Sequence, residues 1–417
     1  MHEQKPVCII GAGLSGLIAA FELEKAGYTP LILEASDGVG GRVRTDAVKG
    51  FLCDRGFQVL NTAYPEAQRY LDYDSLQLKK FAPGAIVLKP GSSFAIHDPL
   101  RDPMKLFGMA FSEVGSLTDK VKIFTLTNKL KGLSDEEIFA EESQPTLQFL
   151  KEYGFSDIII NNFFKPFFKG IFLENDLSTS SRMFKFVFKM FALGHAAVPE
   201  KGMGQISEQL KSKLRTTEIR LNTPVESIQG TTIALQNGEV IEAKKVIVAC
   251  RPDKLIPQMS GQVNPYRKVI NVYFALDHSF TASPMISLVT DPQFIINNLV
   301  FMTDVSKAYA PKGKALLSVS VVQPVKNNEQ LISMIGIELE ALTGISASYF
   351  EHVTTYELTE ALPDVQDMKG DITPTQAKLM DGVFLAGDYM LNASINAAMT
   401  SGRRAAEALI LSEQPPL

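Results

Sequence analysis

The chain has 417 residues, a length typical of two or three domains. Hydrophobic residues make up 45% of it and charged residues 21%, proportions that exclude a disordered protein. Nucleic-acid binding needs a basic surface, whereas this chain has a formal net charge of −5, so we predict no nucleic-acid partner.

Cysteine usage indicates a reducing compartment, and the apolar runs indicate neither a signal peptide nor a membrane span. The sequence has three cysteines, Cys8, Cys53 and Cys250. A small and odd number does not suit a disulfide framework. Neither a Cys-x-x-Cys nor a His-Glu-x-x-His spacing occurs, so we predict no metal site. No apolar run reaches the ~18 residues of a membrane span, and the strand predicted to begin at Val7 leaves no room for a signal peptide. We therefore expect a cytoplasmic protein.

The first 34 residues have the pattern of a β-α-β unit with a glycine-rich turn. A short apolar strand over 7–10 leads into a Gly-x-Gly-x-x-Gly sequence at 11–16, then a predicted helix over 17–26 and a predicted strand over 29–33. Glu34 follows, 18 residues after Gly16. An acidic residue about 20 residues beyond the glycines is typical of dinucleotide-binding proteins.

Each residue type in this unit suits the binding of a dinucleotide. Gly11 permits the tight turn, Gly13 lets a pyrophosphate approach the backbone, and Gly16 allows the helix to pack closely on the strand. The helix N-terminus offers free N–H groups to the phosphates. Glu34 can accept hydrogen bonds from a ribose hydroxyl and would repel a 2′-phosphate, which disfavours NADP.

The residues after Glu34 distinguish between NAD and FAD. Gly40, Gly41 and Arg42 form a Gly-Gly-Arg turn within the sequence Ala-Ser-Asp-Gly-Val-Gly-Gly-Arg-Val-Arg-Thr. This stretch resembles the second signature of the FAD-dependent amine oxidase superfamily, which includes monoamine oxidases, protoporphyrinogen oxidases and carotenoid desaturases. The resemblance implies that these three residues contact FAD, with the arginine on the pyrophosphate side.

A third motif near the C-terminus resembles the same family. A predicted strand ends in Gly387-Asp388-Tyr389, and a helix-like run follows from Asn396. In the family the acidic residue binds the ribityl–pyrophosphate region, and the next helix points its N-terminus at the flavin ring. The resemblance therefore implies FAD contacts at Asp388, Ile395 and Asn396.

Further cofactor contacts follow from the resemblance. The turn at Gly56, Phe57 and Gln58 lies under the isoalloxazine ring in the family, and the residue at Val225 touches the adenine end through its backbone. The complete predicted set of FAD contacts is Gly11, Gly13, Leu14, Ser15, Gly16, Glu34, Ala35, Gly40, Gly41, Arg42, Gly56, Phe57, Gln58, Val225, Gly387, Asp388, Ile395 and Asn396.

The resemblance also predicts the domain organisation. We expect an α/β fold in which a discontinuous Rossmann-type FAD-binding domain comprises 1–70, 200–262 and 372–417. An inserted α+β substrate domain comprises 71–199 and 263–371, and the stretch 65–197 is predicted to be mainly helical. A hairpin is predicted at Asn237-Gly238. Because no second Gly-x-Gly-x-x-Gly occurs, we expect no bound NAD(P)H as reductant. Electrons are expected to pass from the flavin to oxygen or a quinone.

The segment 161–191 contains nine phenylalanines in 31 residues, interleaved with lysines and Arg182. Phe184, Val187, Phe188 and Phe191 fall on one helical face. Three interpretations remain open from the sequence: an ordinary core, an apolar tunnel for substrate, or a basic–aromatic surface that contacts the inner face of a membrane.

Two residue identities bear on the substrate. Ser394 stands where the amine-oxidase branch has a tyrosine of its aromatic cage, which counts against an amine. The covalent flavoproteins of the family use a C-terminal cysteine, and the last cysteine here is Cys250, so we predict non-covalent FAD. The triplet at 387–389 is similar to that of plant-type phytoene desaturases, which favours an apolar polyene or isoprenoid substrate. The alternatives are a porphyrinogen or amine oxidase and, from another class, a lipid-binding chaperone of the same fold.

The sequence identifies no catalytic acid or base. In a hydride-transfer reaction the flavin carries the difficult step, and the protein positions the substrate. Three residues are candidates for a direct role: Arg55, His195 and Tyr389. A salt bridge for Arg55 and a structural role for His195 are the competing interpretations.

Overall fold

The structure is a computed structural model that describes residues 5–97, 115–322 and 330–414. The strands, in chain order, are β1 (Val7–Ile10), β2 (Pro30–Leu33), β3 (Thr45–Val48), β4 (Phe51–Asp54), β5 (Leu60–Asn61), β6 (Lys79–Lys80), β7 (Gly84–Lys89), β8 (Ser92–His97), β9 (Ala196–Val198), β10 (Glu218–Arg220), β11 (Val225–Gln229), β12 (Thr232–Leu235), β13 (Val240–Glu242), β14 (Lys245–Val248), β15 (Tyr266–Leu276), β16 (Ile286–Val289), β17 (Ile296–Phe301), β18 (Ala315–Val321), β19 (Glu351–Pro363), β20 (Lys378–Met380) and β21 (Val383–Leu385).

Helices lie between these strands. They are α1 (Leu14–Lys25), α2 (Pro65–Tyr70), α3 (Tyr73–Leu76), α4 (Leu117–Gly132), α5 (Asp135–Ala140), α6 (Thr146–Glu152), α7 (Asp157–Ile159), α8 (Lys165–Phe172), α9 (Ser181–Leu193), α10 (Gly204–Lys213), α11 (Met302–Val305), α12 (Leu331–Thr343), α13 (Pro374–Ala377) and α14 (Ile395–Leu411). A short π-helical turn, Ile160–Phe164, joins α7 to α8.

A six-stranded sheet of order β10-β2-β1-β14-β21-β20 carries the dinucleotide motif. The first five strands are parallel and β20 is antiparallel. The strands β1, β2 and β21 are buried along their whole length, as apolar parallel strands covered on both faces should be. The sheet draws its strands from three separated stretches of chain, in accordance with a discontinuous Rossmann-type domain. The predicted domain boundaries stay a prediction.

The two ends of the chain meet where α1 packs against α14. A Cβ atom added to Gly402 would lie 2.2 Å from the carbonyl oxygen of Ser15, so only glycine permits this approach of the two helices. The hydroxyl of Ser401 in turn accepts a hydrogen bond from the Gly387 backbone N–H at 2.9 Å. The first and last glycine motifs are therefore held side by side.

A seven-stranded sheet of order β19-β15-β18-β17-β16-β7-β8 forms the second layer. It is antiparallel except for the parallel pair of β16 with β7. The strands β7 and β8 correct the prediction for 65–197, which did not include any strand of this sheet. Their signal was the turn at Gly91, whose φ of +71° favours glycine between two short apolar runs.

Two further predictions can be compared with the structure. The helix predicted over 17–26 begins three residues earlier, at Leu14, because Gly13 is its N-cap. The Asn237-Gly238 hairpin is confirmed by the antiparallel pairing of β12 with β13. None of the helices in the described part of the chain combines the length and the apolar character needed to cross a bilayer.

Candidate functional site

One cavity of about 1070 Å³ brings the three glycine motifs and the phenylalanine-rich segment together. This volume is slightly above the usual range for ligand pockets, ~300–1,000 Å³, and suits a large ligand or two adjoining ones. The predicted cofactor residues that line the cavity are Gly11, Gly13, Leu14, Ser15, Glu34, Gly40, Gly41, Arg42, Gly56, Phe57, Gln58, Gly387, Asp388 and Ile395.

The first glycine loop leaves room for a ligand at only one of its three glycines. A Cβ atom at Gly16 would lie 2.0 Å from the carbonyl oxygen of Gly11, so Gly16 serves helix packing. Gly11 has a φ of +100° and forms the turn. A Cβ at Gly13 would meet no atom within 4 Å and would project into the open cavity. No side chain caps α1 at Gly13, which leaves its first N–H groups free for an anion.

The carboxylate of Glu34 fixes the loop from the end of β2. Its Oε2 accepts a hydrogen bond from the Ala12 N–H at 2.7 Å, and its Oε1 accepts from the Ser36 N–H at 2.9 Å and hydroxyl at 2.7 Å. A carboxylate has about four acceptor positions, so one remains for a ligand hydroxyl.

The second motif packs directly on the first. The N–H of Gly40 donates to the carbonyl of Ala12 at 2.8 Å, and a Cβ at Gly41 would lie 3.5 Å from the Cα of Gly13. Arg42 then donates to Asp388 Oδ1 at 2.5 Å. The acidic residue of the third motif is thereby held against the arginine of the second.

The turn at 56–58 is anchored to Arg42. Gly56 has a φ of +90°, and Gln58 donates from Nε2 to the carbonyl of Arg42 at 2.8 Å. The ring of Phe57 packs edge-on against Phe81 with the centroids 6.1 Å apart. The turn forms part of the cavity wall beside the Gly-Gly-Arg motif.

Tyr389 has a polar atom without a partner at the cavity wall. Its hydroxyl is buried, and no group among the described residues forms a hydrogen bond with it. Burial raises the pKa of this phenol well above its ordinary value, so it is a neutral donor at physiological pH. An unsatisfied buried hydroxyl costs stability unless a ligand pairs with it, which suits a cofactor site.

The other two catalytic candidates have different surroundings. Arg55 lines the cavity but forms a bidentate pair with Asp46, at 2.8 and 3.0 Å, and Asp46 also accepts from the hydroxyl of Tyr356. His195 is not among the cavity-lining residues, and its backbone pairs with Thr62. The competing interpretation of Arg55 as a salt-bridge residue agrees with this geometry.

Four predicted cofactor residues lie outside the cavity lining. Gly16 packs against Gly11, and Ala35 is exposed to solvent. Val225 is buried in the core beside the main sheet. The side chain of Asn396 accepts a hydrogen bond from the Glu66 N–H at 3.0 Å, so it is used within the protein.

Phenylalanines from the segment 161–191 form the other half of the cavity. None of the nine rings is exposed, and Phe184 with Phe186 forms buried core. The residues that face the cavity are Phe163, Phe167, Phe168, Phe172, Phe188 and Phe191, together with Ile171, Met183 and Val187. The segment is thus core on one side and an apolar cavity wall on the other; membrane contact by this segment stays a prediction.

Several cavity residues were missed by the sequence. Tyr266 lies between two guanidinium groups, with Arg251 at 4.7 Å and Arg42 at 5.8 Å from its ring centroid. Lys120 of α4 also lines the cavity. These residues come from parts of the chain that are far apart in sequence and meet only in the folded protein. No local sequence pattern therefore identifies them.

The geometry defines a class of protein: an α/β fold in which glycine-rich loops and an apolar chamber share one cavity. The family model for flavin-containing amine oxidoreductases matches residues 14–410. The chain belongs to this family and is an FAD-dependent oxidoreductase. Membership of an oxidoreductase family decides against the lipid-chaperone alternative.

Individual proteins and solved structures are similar to this chain along most of its length. The 15-cis-phytoene desaturase of Glycine max is 26% identical over 469 aligned positions, covering 97% of this chain and 79% of the relative. An oxidoreductase from Methanosarcina mazei has a similar structure, with a TM-score of 0.74, 18% identity, and 98% and 100% of the two chains covered. A putative protoporphyrinogen oxidase from Exiguobacterium has a TM-score of 0.72 with 19% identity over 99% and 100% of the chains. These structural likenesses show the fold.

The cavity fits the FAD that the family implies. Its three glycine motifs, the free N-terminus of α1, the acceptor at Glu34 and the unpartnered hydroxyl of Tyr389 are the groups that a nucleotide and a flavin ring need. The Arg42–Asp388 pair lines the same cavity.

Proposed function

We propose that this protein desaturates an apolar substrate of the carotenoid or isoprenoid type. The observation that carries the proposal is the continuity of the cavity, because glycine-lined and phenylalanine-lined surfaces enclose one space. The long alignment with a phytoene desaturase supports the same substrate class. An apolar molecule in the chamber would have a C–H bond next to the cofactor region.

The chain's own residues bind and orient the substrate and shield it from water. The six phenylalanines of the chamber wall exclude water and offer flat apolar surfaces to a polyene. The N-terminus of α14, whose residue Ile395 lines the cavity, places a partial positive charge beside the predicted ring position. Ser394 caps this helix by accepting from the Ala397 N–H at 3.0 Å, so the residue at the cage-tyrosine position serves the helix instead.

Bound FAD would supply the acceptor for a hydride from the substrate carbon. The adjacent carbon then loses a proton to solvent or to a nearby acceptor, and the two remaining electrons of its C–H bond form the double bond. Oxygen or a quinone is the proposed oxidant that takes up the two electrons afterwards. No side chain is assigned as the proton acceptor.

We further propose that FAD is held without a covalent bond. Cys250 is the one cysteine in the cavity lining of the described chain, and its Cβ lies 3.4 Å from the Cβ position of Gly11, at the nucleotide end. Burial raises the pKa of the Cys250 thiol to about 12, which makes it a poor nucleophile. Neither position nor reactivity suits attachment to a flavin ring.

The test is an anaerobic titration of the purified yellow protein. Addition of phytoene in detergent should bleach the flavin band near ~450 nm, and denaturation should release all flavin into the small-molecule fraction. Putrescine serves as the amine control and should leave the band unchanged. Bleaching by the amine alone would refute the proposal.

The second candidate is oxidation of a porphyrinogen, favoured by the likeness to the Exiguobacterium structure and by the size of the cavity. Protoporphyrinogen in the same titration separates the two candidates. Bleaching by protoporphyrinogen and not by phytoene would replace the first proposal with the second.

A further inference from the structure

The cationic side chains that line the cavity differ in whether they pair with a carboxylate. Six cations line it, and five of them pair with carboxylates at 2.5–3.0 Å: Arg42 with Asp388, Arg55 with Asp46, Arg251 and Lys254 with Glu360, and Arg267 with Asp364. The sixth, Lys120, has no hydrogen-bond acceptor for its Nζ within the described ranges.

Lys120 is buried as well as unpartnered. The residue is only 7% exposed, and its Nζ atom is inaccessible to water. Burial lowers the pKa of this ammonium, because the charged form is poorly solvated there. An unpaired buried charge is costly, and a ligand of opposite charge would offset that cost.

The nearest carboxylate in sequence is already used. Asp119 accepts from the N–H and hydroxyl groups of both Ser116 and Ser156, at 2.7–2.8 Å. These bonds form the N-terminal capping box of α4 and tie it to α7. Asp119 therefore serves as a structural acceptor and does not pair with Lys120.

The surroundings of Lys120 place it in the apolar chamber. Ile123 and Thr127 lie on the same face of α4, at i+3 and i+7, and both line the cavity. The helix packs against α9, whose Val187 and Phe188 also line the cavity. Among the described residues, Lys120 is thus the one cation of this phenylalanine-lined cavity that pairs with no acceptor.

We propose that Lys120 binds a carboxylate at one end of an apolar substrate, so that the chamber prefers apolar molecules with one acidic end over those without one. One ammonium balances one negative charge, and the cavity has no second unpaired cation among the described residues, which disfavours a phosphate or diphosphate. This inference rests on the proposed function, since it takes the chamber to be the substrate site.

Equilibrium dialysis of the flavin-loaded protein tests the proposal with a matched pair of probes. The probes are cis-parinaric acid, a conjugated tetraene with one carboxylate, and its methyl ester, each used below its aggregation concentration. The wild-type protein should bind the acid about tenfold more tightly than the ester, or better, because the ester cannot make the charge-assisted bond.

Three variants complete the design. Lys120→Met should weaken binding of the acid to the level of the ester and leave binding of the ester unchanged. Lys120→Arg should keep the preference for the acid. Lys129→Met, at an exposed position of the same helix outside the cavity, is the control and should behave like wild type. Retained flavin absorbance and melting temperature show that each variant is folded.

Equal binding of acid and ester by the wild-type protein, failure to bind the acid, or an unchanged preference in Lys120→Met would overturn the proposal. If Lys120→Met loses the preference but no apolar compound bleaches the flavin, the anion site stands and the proposed desaturation fails. If phytoene bleaches the flavin but acid and ester bind alike, the desaturation stands and the anion site fails.

Discussion

Arg42 donates a hydrogen bond to Asp388 across 2.5 Å, joining residues that lie 346 positions apart in the chain. The second N–H group of the same guanidinium donates to the carbonyl of Ala361 in β19 at 3.1 Å. One side chain therefore ties the Gly-Gly-Arg turn to the C-terminal motif and to the strand of the larger sheet.

Removal of this carboxylate should weaken cofactor binding. Asp388→Ala deletes the acceptor and leaves the Arg42 guanidinium without its partner, so we expect FAD affinity to fall about tenfold or more. Quenching of FAD fluorescence on binding to the apoprotein gives the Kd. Asp381→Asn, at an exposed position just before β21, is the control and should bind FAD like wild type. Unchanged affinity in Asp388→Ala would contradict the role.

The glycines at 13 and 16 should respond in opposite ways to the same substitution. Gly13→Ala should change the free energy of unfolding of the apoprotein by less than about 1 kcal/mol, because its backbone suits alanine and its Cβ meets no atom. It should nevertheless weaken FAD binding, since the methyl group enters the cavity.

Gly16→Ala forces a methyl group against the Gly11 carbonyl and should cost about 2–3 kcal/mol even without cofactor. Urea unfolding of the two apoproteins and FAD titration measure both effects. Equal destabilisation by the two substitutions would refute the separation of packing from ligand contact.

Asp54 should make stability depend on pH. Its carboxyl is buried, and burial raises its pKa from 3.8 to about 6, against hydrogen bonds from Thr45, Tyr309 and the Met203 N–H. The folded state therefore binds this proton more tightly than the unfolded chain does. The stabilisation is fully present below about pH 4 and is lost as the pH rises through about 6.

Asp54→Asn removes the titrating carboxyl and replaces it with an amide of nearly the same shape. The difference in free energy of unfolding between wild type and Asp54→Asn, measured in urea at several pH values, should shift in favour of the variant as the pH rises from 4 to 7. Tyr309 would then accept the amide N–H. A difference that is constant across this range would show that Asp54 does not titrate there.

Two neighbouring phenylalanines of α9 should separate stability from substrate binding. Phe184 is fully buried and does not line the cavity, so Phe184→Ala should cost about 3–5 kcal/mol of unfolding free energy. Phe188 is half-buried and faces the cavity, so Phe188→Ala should destabilise less and raise the KM for an apolar substrate. Thermal melts and steady-state kinetics compare the two. A normal KM in Phe188→Ala would argue that the substrate lies elsewhere.

Local patterns explain how much of the site could be predicted. Gly11, Gly13 and Glu34 act through backbone geometry and spacing within one β-α-β unit, and such features are readable from a short stretch. The strands β7 and β8 were missed, because the strand that joins β7 to the sheet, β16, lies about 200 residues later.

The sequence by itself determined the fold class, the glycine-rich loop system and the FAD-dependent chemistry, since each depends on residues close together in the chain. It could not decide whether the phenylalanine-rich segment was core, chamber or surface, because helical periodicity gives the faces of a helix but not their neighbours. Only the tertiary structure divided Phe184 from Phe188, paired Arg42 with Asp388 and placed the unpaired ammonium of Lys120 in the same cavity. The reason is physical: burial and charge pairing depend on which distant segments meet, and chain packing sets that.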